Sequence, residues 1–295
     1  MKTVFISMIG LEERVLGVFR EGKALADEYL LFINEDYEDD QRVATYQKEI
    51  IGKHLSGKNY KLLHSSYRDP FVIIREFNKL RTEEGPDFQQ GKVRVMIDIS
   101  TFNRQNLLIM LFLLRKVLGV HDVEIIYTIP QEVNEDISKG AGGFSNVPFF
   151  GGVFSIEKRK LLILLAGYEI DRPLLLWREL QPSKVILAEG VEPTAASFYK
   201  ANREAVKELS KFAPAVIKQI SANDPNKAKA QLSEIIRQEQ DSYNIFVSPL
   251  NTKLQVLGLY LAWEENPNFQ IVIAFPDIFS AWLTKGIKEV KRYTI

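Results

Sequence analysis

One seven-residue stretch occurs twice: Ile97-Asp-Ile-Ser100-Thr-Phe-Asn103 aligns without gaps on Ile245-Phe-Val-Ser248-Pro-Leu-Asn251, at a spacing of 248 − 100 = 148, close to half of a 295-residue chain. Each copy runs into an apolar helical segment. A second pair, Ile125-Ile-Tyr-Thr-Ile-Pro130 and Ile271-Val-Ile-Ala-Phe-Pro276, follows at 276 − 130 = 146. Earlier in each half Gly10-Leu-Glu12 with Arg14 resembles Gly167-Tyr-Glu169 with Arg172, and Ala44-Thr-Tyr-Gln-Lys48 resembles Ala196-Ser-Phe-Tyr-Lys200. Four matches in one order point to duplication of a unit of about 150 residues, the size of one domain.

The texture between the matches names the unit. Short apolar β-rich runs alternate with segments of helical period, the pattern of strand, crossover helix and parallel strand. In the first half the predicted strands are Thr3–Ser7, Tyr29–Ile33, Tyr60–His64, Val93–Ile99 and Val123–Ile129. In the second they are Leu161–Leu165, Lys184–Ala188, Ala215–Ile220, Asn244–Val247 and Phe269–Phe275. Runs such as Val95-Met96-Ile97 do not alternate with polar residues, as expected of a parallel sheet covered on both faces. The fold expected is α/β, two tandem Rossmann-like parallel-sheet lobes, residues 1–137 and 156–295. The stretch between them, 138–155, holds five glycines and four phenylalanines. Interleaved aromatics need burial, so it reads as a connecting hairpin or a ligand-covering flap, not a flexible linker. The tail Ile278-Phe279-Ser-Ala-Trp282-Leu283 reads as a final helix packed on its own sheet, or as a docking surface.

Several function classes fall away. Lysine plus arginine and aspartate plus glutamate are both 38, so no global field draws the chain to nucleic acid or an anionic membrane. With no cysteine, disulfides, thiolate metal sites and a cysteine nucleophile are excluded, which suits a reducing compartment. The amino terminus reads as a first strand instead of a signal peptide, and no apolar run reaches the roughly 20 residues of a bilayer span, so the expectation is a cytoplasmic protein. Neither a Gly-x-Gly-x-x-Gly turn nor a P-loop is present, and His54, His64 and His121 are not spaced for metal; no cofactor and no metal are expected.

In an open parallel sheet the carboxyl ends of the strands meet the amino ends of the helices, and polar residues there are the first suspects. The fourth strand-to-helix turn of each half carries Ser100, Thr101, Asn103 and Arg104, and Ser248, Asn251, Thr252 and Lys253. A hydroxyl and an amide that cap the helix leave amides for an anion, with Arg104 or Lys253 as counter-charge; ordinary capping explains the same residues. Glu12 and Glu169 follow the first strands, with Arg14 and Arg172 beside them. Asp98 lies inside a strand, where a charge needs a partner that Arg14 would supply. Asp98 then reads as a buried anchor or as a catalytic or ribose-binding carboxylate, and the gapless repeat gives it Phe246 as its counterpart.

At this turn Ser248-Pro-Leu-Asn251-Thr252-Lys253 resembles the CRISPR-associated Rossmann fold family, whose motif after the fourth strand is a hydroxyl residue, two glycines, threonine and lysine. The Thr-Lys pair and the apolar helix behind it are kept; Leu250 and Asn251 replace the glycines. The resemblance implies two lobes standing in for a dimer that binds a cyclic oligoadenylate, which some members also cleave. Three readings follow: a nucleotide-binding sensor acting through a protein partner or homo-oligomer, a hydrolase of a nucleotide or related phosphate or sugar using Glu12, Arg14 and Asp98 with ligand held by Glu169 and Arg172, and an assembly subunit without ligand.

Overall fold

In the computed structural model, residues 1–89, 93–133, 138–192, 196–212, 214–279 and 284–295 are described. The first half runs β1 (Lys2–Ile9), a 3-10 turn Glu13–Leu16 into α1 (Gly17–Arg20), β2 (Glu28–Asn34), α2 (Gln41–Glu49), β3 (Asn59–Ser65), α3 (Phe71–Gln89), β4 (Val93–Asp98), α4 (Arg104–Phe112) and β5 (Val123–Ile129). Three short strands follow: β6 (Glu132–Val133), β7 (Ser138–Lys139) and β8 (Gly143–Asn146). The second half repeats the order with β9 (Arg159–Leu165), α5 (Asp171–Leu180), β10 (Lys184–Val191), α6 (Ala196–Leu209), β11 (Val216–Ser221), α7 (Pro225–Glu239), β12 (Tyr243–Pro249), α8 (Lys253–Glu265) and β13 (Gln270–Phe275). It ends with β14 (Ile278–Phe279), β15 (Thr284–Lys285) and β16 (Glu289–Thr294). All ten strands expected from sequence are present, because each is a compact apolar run bounded by polar or turn residues.

With β8 and β16 the ten form two six-stranded sheets, ordered β16-β5-β4-β1-β2-β3 and β11-β10-β9-β12-β13-β8. Strands β1 to β5 are mutually parallel, as are β9 to β13, and each sheet ends in one antiparallel strand, β16 on β5 and β8 on β13. The protein is thus α/β with two Rossmann-like lobes. Every residue of β2 and of β5 is buried, which accounts for the lack of polar alternation in Tyr29–Ile33 and Ile125–Tyr127. Side chains such as Leu162, Leu164, Leu176, Leu187 and Val272 pack one core of the second sheet. Helices α4 and α8 are buried from Gln105 to Leu111 and from Leu254 to Trp263, so their apolar residues run around the whole helix.

The edge strands were not foreseen, and they redraw the halves. β8 lies in the Gly/Phe-rich stretch and completes the sheet of β9 to β13; β16, at the end of the chain, completes the sheet of β1 to β5. The chain divides into Met1–Asn134 with Ala281–Ile295, and Glu135–Ser280. The expected second lobe of 156–295 therefore gives its last strand to the first sheet and takes β8 from the expected connector. Ile278 and Phe279 form a strand on β7, not a helix, and the remainder of that tail, 280–283, lies outside the described residues. An extended segment beside an open sheet edge satisfies a row of backbone groups that a helix would leave unpaired.

The exchange obeys the duplication residue by residue. Glu289 pairs with Ile129 and Gly143 pairs with Phe275; both 289 − 143 and 275 − 129 are 146. Thr284 pairs with Val133 and Ser138 with Phe279, again at 284 − 138 = 279 − 133 = 146.

Candidate functional site

In the first lobe β1 and β4 are neighbours on either side of the point where the strand order reverses, the usual ligand crevice of such sheets. Here the crevice is bridged: the Thr101 hydroxyl donates to the carbonyl of Met8. Beneath it Asp98, Ser7 and Ser100 have no exposed surface. Asp98 accepts from the Ser100 amide (3.0 Å), the Ser100 hydroxyl and, at 3.5 Å, the Ser7 hydroxyl, while Ser100 Oγ accepts from the Thr128 amide at 2.7 Å. Burial pushes the Asp98 carboxyl up to about 6, against the Ser100 hydrogen bonds that favour its charged form. Its hydrogen-bond partners are serines, while Arg14, the partner expected for it, favours its charged form by charge attraction and gives its hydrogen bonds to Glu12 and Thr128.

Register locates the counterpart of this cluster, and it differs from the gapless repeat. Ser7 pairs with Asp98 where Leu164 pairs with Ser248, and Ile97 pairs with Ile125 where Val247 pairs with Ile271. Both neighbours give a spacing of 150 in this strand (248 − 98, 247 − 97), so Ser248 stands at the place of Asp98, and Phe246 does not. The helices behind start at Arg104 and Lys253, a spacing of 149, so the second turn is one residue shorter. The trio Ser7, Asp98, Ser100 thus becomes Leu164, Ser248, Leu250, and the buried carboxylate belongs to the first lobe alone.

The second turn is locked from within. Asn251 Nδ2 donates to the Ala166 carbonyl at 2.6 Å and its Oδ1 accepts from the Thr252 amide at 2.8 Å. Thr252, the N-cap of α8, donates to the Ala222 carbonyl (2.7 Å) and accepts from the Gln255 amide (3.2 Å). A Cβ on Gly167 would lie 2.3 Å from the Leu250 carbonyl oxygen, so the turn sits directly on the end of β9. At Gly10 the nearest atom would be 3.5 Å away, and the first turn is less tightly closed. There Asn103 caps α4 by accepting from the Asn106 amide at 2.8 Å, and its own Nδ2 is buried without a hydrogen-bond partner. Both amide atoms of Gln105, a residue 1% exposed, are likewise unpartnered. Arg104 and Lys253 are partly exposed at the first positions of their helices.

The two carboxylate-arginine pairs prove to be equivalent ion pairs. Arg14 donates to Glu12 Oε2 from Nε (2.9 Å) and Nη2 (2.6 Å), and from Nη1 to the Thr128 carbonyl at 3.3 Å. Arg172 donates to Glu169 from Nε and from Nη2 (2.5 Å), and from Nη1 to the Ala274 carbonyl at 3.3 Å. Arg14, Glu12 and Arg172 are buried, and the guanidinium of Arg14 keeps its proton more firmly than usual because the attraction of Glu12 and Tyr127 outweighs its desolvation.

Two further groups hold strand ends in place. Asp36 Oδ2 accepts from the Ser66 hydroxyl (3.0 Å) and the Tyr67 amide (2.5 Å), and Asn106 Nδ2 donates to the Ser66 carbonyl (3.1 Å), joining the ends of β2 and β3 to α4. In the second lobe fully buried Asn202 accepts from the Gly190 amide (2.8 Å) and donates to the carbonyls of Ala166 and Gly167 (both 2.6 Å). An asparagine within an amphipathic helical run gives no sign of this in sequence. Among the described residues no three His, Asp or Glu side chains group to hold a metal ion, and no helix is long and apolar enough to cross a membrane.

No protein-family model matches the chain, and no curated protein matches it. Similar solved structures include an ABC transporter solute-binding protein from Mycobacterium smegmatis with bound glycerol, at 8% identity and TM-score 0.25 over 90% of this chain and 72% of that one. Another is an ABC transporter periplasmic solute-binding protein from Actinobacillus succinogenes with bound D-allose, at 13% identity and TM-score 0.23 over 90% and 74%. A third is an N-terminal ketoreductase from a macrolactin assembly line, at 12% identity and TM-score 0.25 over 92% and 68%. At these scores the likenesses bear on neither the fold, which rests on strand order and register, nor the ligand.

Proposed function

We propose that the protein is a ligand-binding sensor that takes an anionic nucleotide at the turns after β4 and β12. The observation that carries this reading is a contrast in exposure. Arg104 and Lys253 begin helices at the same place in each lobe with part of their surface in solvent, while Glu12, Arg14 and Asp98 are enclosed. A helix start with a basic first residue favours a phosphate, and enclosed carboxylates offer a substrate no base. The unpartnered Nδ2 of Asn103 adds an uncharged donor at the first turn. The resemblance of the second turn to the CRISPR-associated Rossmann fold makes cyclic oligonucleotides the first ligands to try and prokaryotic defence the setting to consider. Such a sensor acts through a partner, a second subunit or another protein.

Thermal-shift titration with cyclic and linear nucleotides tests the proposal. A bound nucleotide raises the melting temperature progressively with concentration. Arg104→Ala and Lys253→Ala are each expected to weaken or remove the shift while moving the unliganded melting point by only about 1–2 °C, since partly exposed charges contribute little to stability. A shift untouched by both variants, or no shift with any nucleotide, overturns it. Turnover of the nucleotide during the titration would make it a substrate and the protein an enzyme.

A further inference from the structure

Each sheet is closed by an arm of chain that arrives after the fifth strand of the other half: β6 to β8 after β5, and β14 to β16 after β13. The buried ion pairs stand where these arms dock. Arg14 holds the carbonyl of Thr128, the residue that pairs with Val290 of β16. Arg172 holds the carbonyl of Ala274, the residue that pairs with Phe144 of β8. The positions correspond, since 290 − 144 and 274 − 128 are both 146. The arms are also gripped directly: the Thr284 hydroxyl donates to Glu12 Oε2 at 2.5 Å, and the Gly140 amide donates to Asp171 Oδ2 at 3.0 Å, one residue before Arg172.

We propose that Glu12 with Arg14, and Glu169 with Arg172 and Asp171, are latches that fasten each exchanged arm to its sheet, and that the edge strand behind each latch opens as a unit separate from the rest of its lobe. An antiparallel edge strand has one hydrogen-bonded neighbour and is the segment most readily released by local opening. In the first lobe the buried ion pair itself bonds a backbone carbonyl and the arm hydroxyl, concentrating the restraint at one point; in the second the arm amide is held by exposed Asp171, next in sequence to Arg172 of the ion pair. Glu12, Arg14, Glu169 and Arg172 are positioning residues in this view. They set how tightly the arm is held and touch no ligand.

Amide hydrogen exchange on the full-length chain tests this. Thr284→Val removes the arm's hydroxyl bond to Glu12 and keeps its shape; exchange across Glu289–Thr294 is expected to quicken about 5- to 10-fold, with Gly143–Asn146 unchanged. Asp171→Ala is expected to do the reverse, quickening Gly143–Asn146 and leaving Glu289–Thr294 as it was. The crossed pattern, with β1 and β9 keeping their protection in both variants, distinguishes latches from general loosening. A uniform rise across a lobe, or no change at the arm in either variant, overturns the proposal. Neither substitution alters Arg104 or Lys253, so the nucleotide titration stands or falls separately.

Discussion

Asp98 sets a pH dependence that a solvated aspartate would lack. Its carboxyl titrates at about 6 in the folded chain, against 3.8 for the ordinary group, so the native state binds this proton more tightly than the unfolded state does. The contribution is full below about pH 4 and is lost as pH rises through about 6. Two units of pKa correspond to about 3 kcal/mol. Asp98→Asn, which keeps an acceptor for the Ser100 amide and gains a donor toward Ser7, is expected to flatten this part of the curve. Relative to the parent protein it should gain on the order of 3 kcal/mol between pH 4 and pH 7 in urea unfolding. An unchanged difference between the two pH values would mean that Asp98 titrates normally. The sequence marked Asp98 as a carboxylate inside a strand that needs a partner; Ser100 bonds it from two residues along, while its bond with Ser7 depends on the register of β1 and β4, which no local pattern encodes.

At the scale of elements, the turns after β4 and β12 show how a duplicated unit diverges. The seven-residue match suggests equivalence at 148, yet pairing with two neighbouring strands sets 150, because what defines a strand's place is which residues it faces across the sheet. Residues of like type at the earlier spacing then fall on different sheet positions, and Ser248 takes the place of Asp98. The turns also differ in closeness. Gly167→Ala would press a methyl group against the Leu250 carbonyl, with an expected loss of about 2 kcal/mol, while Gly10→Ala meets only ordinary contacts and is expected to change stability by less than about 1 kcal/mol. Denaturant melts of the two variants check this; equal losses would show that the second turn yields where its packing says it should not. The capping residue Asn103 was legible in sequence, since a helix start needs an acceptor for its free amides, whereas α8 is capped by Thr252 and not by Asn251. The bonds of Asn251 and Asn202 to the Ala166 carbonyl were not legible, because both reach across the chain by tens of residues.

For the whole molecule the exchange of edge strands has a direct consequence. The segment 151–156 holds Val153, Phe154 and Ile156 at 69, 51 and 94% exposure, between β8 and β9. A protease site placed there would leave β8 on the first fragment and β16 on the second, each paired in the sheet of the other. The cut protein is expected to elute from size exclusion at the volume of the uncut chain, and to separate only in denaturant. Fragments that part in native buffer would contradict the exchange.

Ten strands, two like halves and the polar character of the strand ends follow from sequence alone, since apolar period and turn residues act within a few positions of one another. Which halves own the edge strands, which residue faces Asp98, and whether Glu12 and Arg14 serve chemistry or hold an arm were decided only in three dimensions. Backbone pairing at a sheet edge accepts any extended segment of suitable register, and a buried charge settles on whichever partner the packed chain brings within hydrogen-bond reach.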